Sequence, residues 1–250
     1  MNKALVSFTH GLGDLIQLTP CLRQLNKNGY MVDLMCRKEA ITSGLFDECP
    51  YTDKLIEIGN PWKAEDFQKQ IFDNHEKFVK IANKYDWIGS SLHLTQLPKE
   101  HKIDMTAREL GLKLDDRYVE VFISEEDDAE TKRYVESNFP DGYILRHTDI
   151  EFHVEHSWDC SDWIMDELPR LPVVDTGMWG DFARKWDPIG RTFSLLKYAA
   201  HRVLSSSVMV HASDALNAPV EVINYGKEDR KVWPVNKIAK RIRECGNWIK

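Results

Sequence analysis

Two rhythms of apolar residues take turns along this chain. Ala4 to Phe8 is a short, nearly unbroken apolar run, the pattern of a strand buried on both faces. Leu15, Ile16, Leu18, Leu22 and Leu25 then recur at helical spacing, which predicts a helix over 14–26 that Asn28-Gly29 ends. Tyr30 to Cys36 reads as a second strand, so the chain opens on a βαβ unit and its sheet should be parallel. A short helix over 39–46, a strand over 54–58, a lysine- and aromatic-rich helix around 67–85, a strand over 86–89 and a helix over 105–111 follow. Ser90 to Leu94 continues the fourth strand to where a strand end faces a cleft. Val119 to Ile123 predicts a further strand, and 126–138 a surface helix closed by Phe139-Pro140-Asp141-Gly142.

The alternation then restarts. Tyr143 to His147 reads as a strand, 153–163 as a polar, tryptophan-rich stretch, 171–177 as strand and turn, and 178–192 as loop. A helix over 193–201, a strand over 202–206, a helix over 209–216, a strand over 220–224 and an amphipathic helix over 237–248 complete the chain. Strands and helices in alternation give an α/β class with helices on both faces of parallel sheets. Two such halves in succession predict two Rossmann-like domains, 1–138 and 139–250, facing each other across a cleft. The C-terminal helix can pack back on the first. Parallel sheets take ligands beyond the carboxyl ends of their strands, so the chemistry should sit at those ends.

Composition narrows the class. The 250 residues, 42% hydrophobic and 29% charged, suit globular domains with room for a core. No apolar run is long enough to span a bilayer, and the first residues begin a strand rather than a leader. Cys21, Cys36, Cys49, Cys160 and Cys245 show no paired spacing, which argues for reduced thiols, a cytoplasmic protein and no zinc ribbon. A net charge of -7 speaks against a nucleic-acid grip along the whole surface. The charge is uneven, though. Glu125 to Asp128 is an acidic block, and from Lys227 onward Arg230, Lys231, Lys237, Lys240, Arg241, Arg243 and Lys250 form a basic segment. That segment fits a polyanionic partner, an anionic membrane surface or an ordinary solvated face.

Candidate chemistry concentrates at two turns. In Thr9-His10-Gly11-Leu12-Gly13-Asp14 a strand passes through a glycine turn into a helix. Glycines allow close approach of a ligand to the backbone, and a helix start favours anions. Asp14 is either a helix cap or a carboxylate at the lip of a site, and His10 either helps to place an acceptor or is a loop histidine in solvent. In the second half, a strand ends in Ser205-Ser206-Ser207 and a helix begins with His211 in its first turns. Hydroxyls and free N–H groups there suit a phosphate, to which His211 can also donate. His147, His153 and His156 lie among Asp149, Glu151, Glu155, Asp159 and Cys160 without any zinc spacing, so a polar loop is the simpler account and no metal is assigned. Trp158, Trp163, Trp179 and Trp186 either stack on a base or sugar or pack in the core. Asp175-Thr176-Gly177 is a further strand-end turn.

The order of these features resembles the ADP-heptose:lipopolysaccharide heptosyltransferases, glycosyltransferase family 9, of the GT-B fold. Residues 13–23 resemble that family's Gly-Asp turn and the Pro-x-Leu-Arg of its first helix. Residues 206–226 resemble its donor-side segment, with His211, Leu216, Pro219 and Gly226 in register, and 227–234 resemble the loop after it. These segments cover about a fifth of the chain, a loose match made specific by order and placement. The family's Asp-Thr-Gly is replaced by Ser206-Ser207-Val208, so heptose is not carried over. Its lysine before a tryptophan has no clear match; Glu155-His156-Ser157-Trp158 stands there, with His156 as the candidate replacement.

The resemblance implies a glycosyltransferase that is inverting and metal-independent. It implies Asp14 as general base, with His10, Gly11 and Gly13 on the acceptor side. Arg146, Thr148, Ser206, Ser207 and His211 would contact a nucleotide-diphosphate sugar used as substrate, with no further cofactor. The expected acceptor is a glycan. A hydroxymethylated DNA base, as modified by phage glycosyltransferases, and a non-catalytic binding or scaffolding protein of the same fold are the alternatives.

Overall fold

The computed structural model describes residues 1–93, 97, 100–150, 157–177, 188–225, 234–244 and 247–249. The chain divides into two compact units, Met1–Phe122 and Ile123–Lys250. Each is built on a parallel sheet, as the alternation requires.

The first unit has strands β1 (Asn2–Phe8), β2 (Tyr30–Arg37), β3 (Thr52–Ile58) and β4 (Trp87–Ser91), in the order β3-β2-β1-β4, all parallel. β1 is central, and Ala4, Leu5, Val6 and Phe8 are fully buried. Helix α1 (Leu12–Lys27) buries Leu15, Ile16, Leu18, Leu22 and Leu25, each contributing about 1.5–3 kcal/mol when removed from water. Pro20 lies inside α1 and has no N–H for the carbonyl of Ile16. The Thr19 hydroxyl donates to that carbonyl at 2.7 Å instead, and accepts from the Glu120 N–H at 2.8 Å. Helices α2 (Lys38–Thr42), α3 (Phe67–Ala82) and α4 (Lys102–Glu109) complete the unit.

Val119 to Phe122, expected as a strand, joins no sheet. Its partners lie on a helix: Arg23 of α1 donates to the Tyr118 carbonyl at 2.8 Å and pairs with Asp116 and Glu120. Extended backbone satisfied by side chains needs no neighbouring strand.

The second unit contains α5 (Glu125–Asn138), β5 (Ile144–His147), α6 (Ser161–Glu167), β6 (Val173–Asp175), α7 (Ile189–Tyr198), β7 (His201–Ser205), α8 (Val208–Ala215), β8 (Val220–Tyr225), β9 (Ala239–Glu244) and β10 (Asn247–Ile249). The strand order is β10-β9-β8-β7-β5-β6, parallel except for the β9–β10 pair. Helix α6 begins at the end of the polar, tryptophan-rich stretch and runs on where no element was expected. The expected junction at 138/139 falls at 122/123, because α5 belongs with α7. The acidic block at the start of α5 makes that attachment: Asp127 and Glu130 hold Arg191, and Asp128 accepts from Ser194, Lys197 and Tyr198 at 2.7–2.9 Å.

The expected C-terminal helix over 237–248, and its packing on the first domain, are corrected by β9 and β10. The segment extends the second sheet beyond β8. An uncovered β8 edge would leave N–H and C=O groups unpaired, and β9 supplies them with partners. Arg243 of β9 donates to Asn224 Oδ1 at 2.8 Å and lies over the Trp158 ring, while Arg241 lies over Trp163 and pairs with Glu167 at 3.0 Å.

Candidate active site

The carboxyl ends of β1 and β4 and the starts of α1 and α4 meet in the first unit. Gly11 is the N-cap of α1 and provides no side-chain cap. Asp14 is therefore not a cap: it sits in the first turn, and Lys102, the first residue of α4, donates from Nζ to its Oδ1 at 2.9 Å. Burial raises the Asp14 pKa, but Lys102 and the neighbouring imidazoles outweigh this and hold it down to about 2. The carboxylate is ionised at neutral pH with Oδ1 committed. Oδ2 faces Gly11: a Cβ built on Gly11 would lie 3.9 Å from Oδ2 and 3.8 Å from Arg37 Nη2. Gly11 has φ -70°, open to any residue, so the glycine contributes open space rather than a special conformation. Gly13 lies one residue before Asp14 in the same turn.

His10 and His93 stack face to face beside this pair, with ring centroids 4.0 Å apart and planes at 25°. Phe8 lies edge-on to His93 at 5.3 Å, and Trp62 lies 5.5 Å from His10 on the other side. Burial lowers the pKa of both imidazoles, that of His93 to about 4. Both are neutral at pH 7, which lets them stack. His93 has φ 51°, in the left-handed region. Glu109 stabilises that bend by accepting from Ser91 Oγ (2.7 Å) and from the N–H groups of Leu92 and His93 (both 3.1 Å), and Thr106 Oγ1 lies 2.8 Å from His93 Nε2. Among the described residues His10 Nε2, His93 Nδ1 and Arg37 Nε are buried with no hydrogen-bond partner.

In the second unit the candidate donor residues gather at the carboxyl ends of the adjacent strands β5 and β7. Ser207 caps α8 by accepting from the Met209 N–H at 3.3 Å. The Ser206 N–H bonds to the Asn224 carbonyl at 2.9 Å, and His211 is buried in the second turn of α8. Thr148 is also buried: its hydroxyl lies 3.7 Å from Cys160 Sγ, and its carbonyl accepts from Trp158 N (2.9 Å) and Ser205 Oγ (3.4 Å). Its role in this neighbourhood is to join three segments. Arg146 is engaged too, through Nε to Asp175 Oδ2 at 2.7 Å, Nη2 to the same oxygen, and Nη1 to Ser161 Oγ at 3.0 Å. Asp175 also accepts from the Gly177 N–H at 2.9 Å.

Lys102, His93, Arg37, Trp62 and Glu109 were not legible as site residues. Lys102 reaches Asp14 across 88 positions of sequence, a relation that no local spacing encodes. Among the described residues no group of three His, Cys, Asp or Glu side chains could hold a metal ion. His153, His156, Glu151, Glu155, Trp179, Trp186, Gly226 and the basic stretch 227–233 lie outside the described residues.

No family model and no curated protein matches the chain in sequence. Solved structures match it over nearly its whole length. A family 9 glycosyl transferase from Veillonella parvula superposes with a TM-score of 0.71 at 15% identity, covering 97% of this chain and 86% of that one. The E. coli ADP-heptose LPS heptosyltransferase II gives 0.61 at 12% identity, with 97% and 90% covered. The E. coli heptosyltransferase WaaC with ADP gives 0.57 at 14% identity, with 97% and 93% covered. At such identities the likeness is one of fold.

Proposed function

We propose that this protein is a glycosyltransferase that moves a sugar from a nucleotide-diphosphate sugar to an acceptor hydroxyl, inverting the anomeric centre, with Asp14 as general base. The observation that carries the proposal is the placement of Asp14. It is an ionised, half-buried carboxylate at the carboxyl end of a parallel sheet, with Oδ1 held by Lys102 and Oδ2 turned toward the space over Gly11. The neighbouring structures named above as glycosyl transferases and heptosyltransferases support the reaction class.

In this reading the acceptor hydroxyl gives its proton to Asp14 Oδ2 as its oxygen attacks the anomeric carbon. Lys102 keeps the carboxylate ionised and oriented. The bond from the anomeric carbon to the diphosphate oxygen breaks as the new glycosidic bond forms, so one displacement inverts the centre. The departing diphosphate is stabilised by the N–H groups at the start of α8, the Ser206 and Ser207 hydroxyls and His211, without a metal ion. Arg146 contributes by fixing the turn at Asp175 and Gly177, since its guanidinium is already bonded there. A glycan acceptor fits better than DNA. Three of the described cations of the C-terminal segment are engaged inside the second unit, Lys240 with Glu221, Arg241 with Glu167 and Arg243 with Asn224.

A panel of nucleotide sugars, varied in base and in sugar, tests this by shift of the melting temperature and then by transfer or hydrolysis. One member should stabilise the protein and be turned over. Asp14→Asn should abolish turnover while keeping the donor shift. Full activity in that variant would remove Asp14 as base. A donor shift with no turnover under any condition would favour the non-catalytic alternative.

A further inference from the structure

Resting on the proposed glycosyl transfer, we infer that the acceptor hydroxyl is presented on a sugar ring seated against Trp62, with His10 as the hydrogen-bonding partner of the ring's rim. Nothing in the donor chemistry requires this, because Trp62 and His10 both belong to the first unit.

Trp62 is 53% exposed, an indole left half in water against His10. Its position is nevertheless built rather than accidental. Pro61 before it is buried, and Asn60 Oδ1 accepts from the Trp62 N–H at 3.1 Å. Lys63 after it pairs with Glu39 at 3.4 Å. The indole packs at 5.1 Å on Phe67 and at 5.5 Å on His10, continuing the stack that begins with Phe8 and His93. A single exposed aromatic is ordinary. One tethered from both sides and stacked on His10, an imidazole that senses the charge of Asp14, is not explained by packing alone.

The second observation is polar. His10 is 7% exposed and its Nε2 has no partner among the described residues. A buried polar atom of this kind is costly to leave unmade, and a bound ligand would satisfy it. His10 senses the charge of Asp14, which works against the loss of its proton, so the imidazole and the carboxylate share one neighbourhood. A neutral imidazole nitrogen can donate to or accept from a hydroxyl. A pyranose ring has a flat apolar C–H face and a rim of hydroxyls, which match an indole face flanked by a neutral imidazole. A serine, a lipid alcohol or a lone polyol offers no such face. A nucleobase offers a face, but its strand brings phosphates. The net charge of -7 opposes a polyanion.

Saturation-transfer NMR on the full chain tests the subsite without turnover. The probes are methyl glycosides of hexoses, heptoses and hexuronic acids, with 5-hydroxymethyl-2'-deoxycytidine beside them. At least one glycoside should receive saturation on its ring C–H protons. In Trp62→Ala the transfer should fall by about fivefold, the scale of a lost aromatic contact, and Trp62→Phe should restore part of it. The nucleoside should receive none. Melting temperature and the donor-induced shift report that each variant is folded and still binds its donor. The inference is overturned if no glycoside receives saturation, if Trp62→Ala binds as well as the wild type, or if the nucleoside takes the saturation instead. A persisting donor shift then leaves the glycosyltransferase reading standing, whereas loss of the donor shift in the wild type would strike that reading itself.

Discussion

At the scale of single residues, the Asp14–Lys102 pair joins stability to function. Lys102→Met removes the cation that draws the Asp14 pKa down, so the carboxylate becomes easier to protonate. The acidic limb of a pH–rate profile should move to higher pH, and an NMR titration of the Asp14 carboxyl carbon should move with it. An unchanged limb would mean that Lys102 has a purely structural role. The stacked imidazoles act in the same direction on stability. The folded state holds His93 neutral down to about pH 4, against an ordinary value of 6.5, and His10 is lowered as well. Between those values the unfolded chain binds more protons than the folded one. Stability is therefore full above about pH 6.5 and declines as pH falls toward 4. Melting temperature followed across that range should show the decline, and His93→Gln should flatten it.

At the scale of elements, α1 must carry both a proline and the carboxylate proposed as base. The Thr19 hydroxyl makes this workable by bonding the carbonyl that Pro20 leaves open and by receiving the Glu120 N–H. Thr19→Val removes both bonds at once and leaves a carbonyl and an N–H unsatisfied. The cost should be about 1–3 kcal/mol in chemical denaturation, with only a small change in donor binding, since the proposed donor contacts lie in residues 123–250. Thr19→Ser keeps the hydroxyl and should recover most of the loss. The helices α5 and α7 show a comparable economy. The acidic first turn of α5 favours its own N-terminus and also holds Arg191 and Lys197 of α7.

At the scale of the whole molecule, the two units carry separable tasks in the proposed reaction. The donor contacts belong to residues 123–250 and the base to residues 1–122. Hydrogen exchange in the presence of the donor should slow at the β7–α8 turn, around Ser205 to His211, while Asp14→Asn leaves that protection intact. Protection found instead around Gly11 to Leu15 would reverse the assignment of the two units.

Much of this was written in local pattern. Periodicity placed β1, α1, β2, β7, α8 and β8, because each of these segments is buried along one face or both and cannot hide a polar error, and it also placed the largely unburied β3. The α/β class follows from the same local signals, while the resemblance of residues 13–23 to a glycosyltransferase segment rests on the residues themselves. Elements whose partners come from elsewhere were not legible. Residues 237–248 carry helical spacing, yet Ala239–Glu244 and Asn247–Ile249 are strands, because the β8 edge needs hydrogen bonds and Trp158 and Trp163 lie where Arg243 and Arg241 can cover them. Residues 119–122 look like a strand, yet are held by α1. The same division runs through the site. The sequence by itself determined that an aspartate would follow a glycine turn at the end of a buried strand. Only the tertiary structure decided that Lys102, 88 residues away, would hold it ionised, and that His93 and Trp62 would join His10 in a stack. Local spacing encodes which face of an element is buried. It does not encode which distant side chain arrives there, because that depends on how strands are ordered in the sheet.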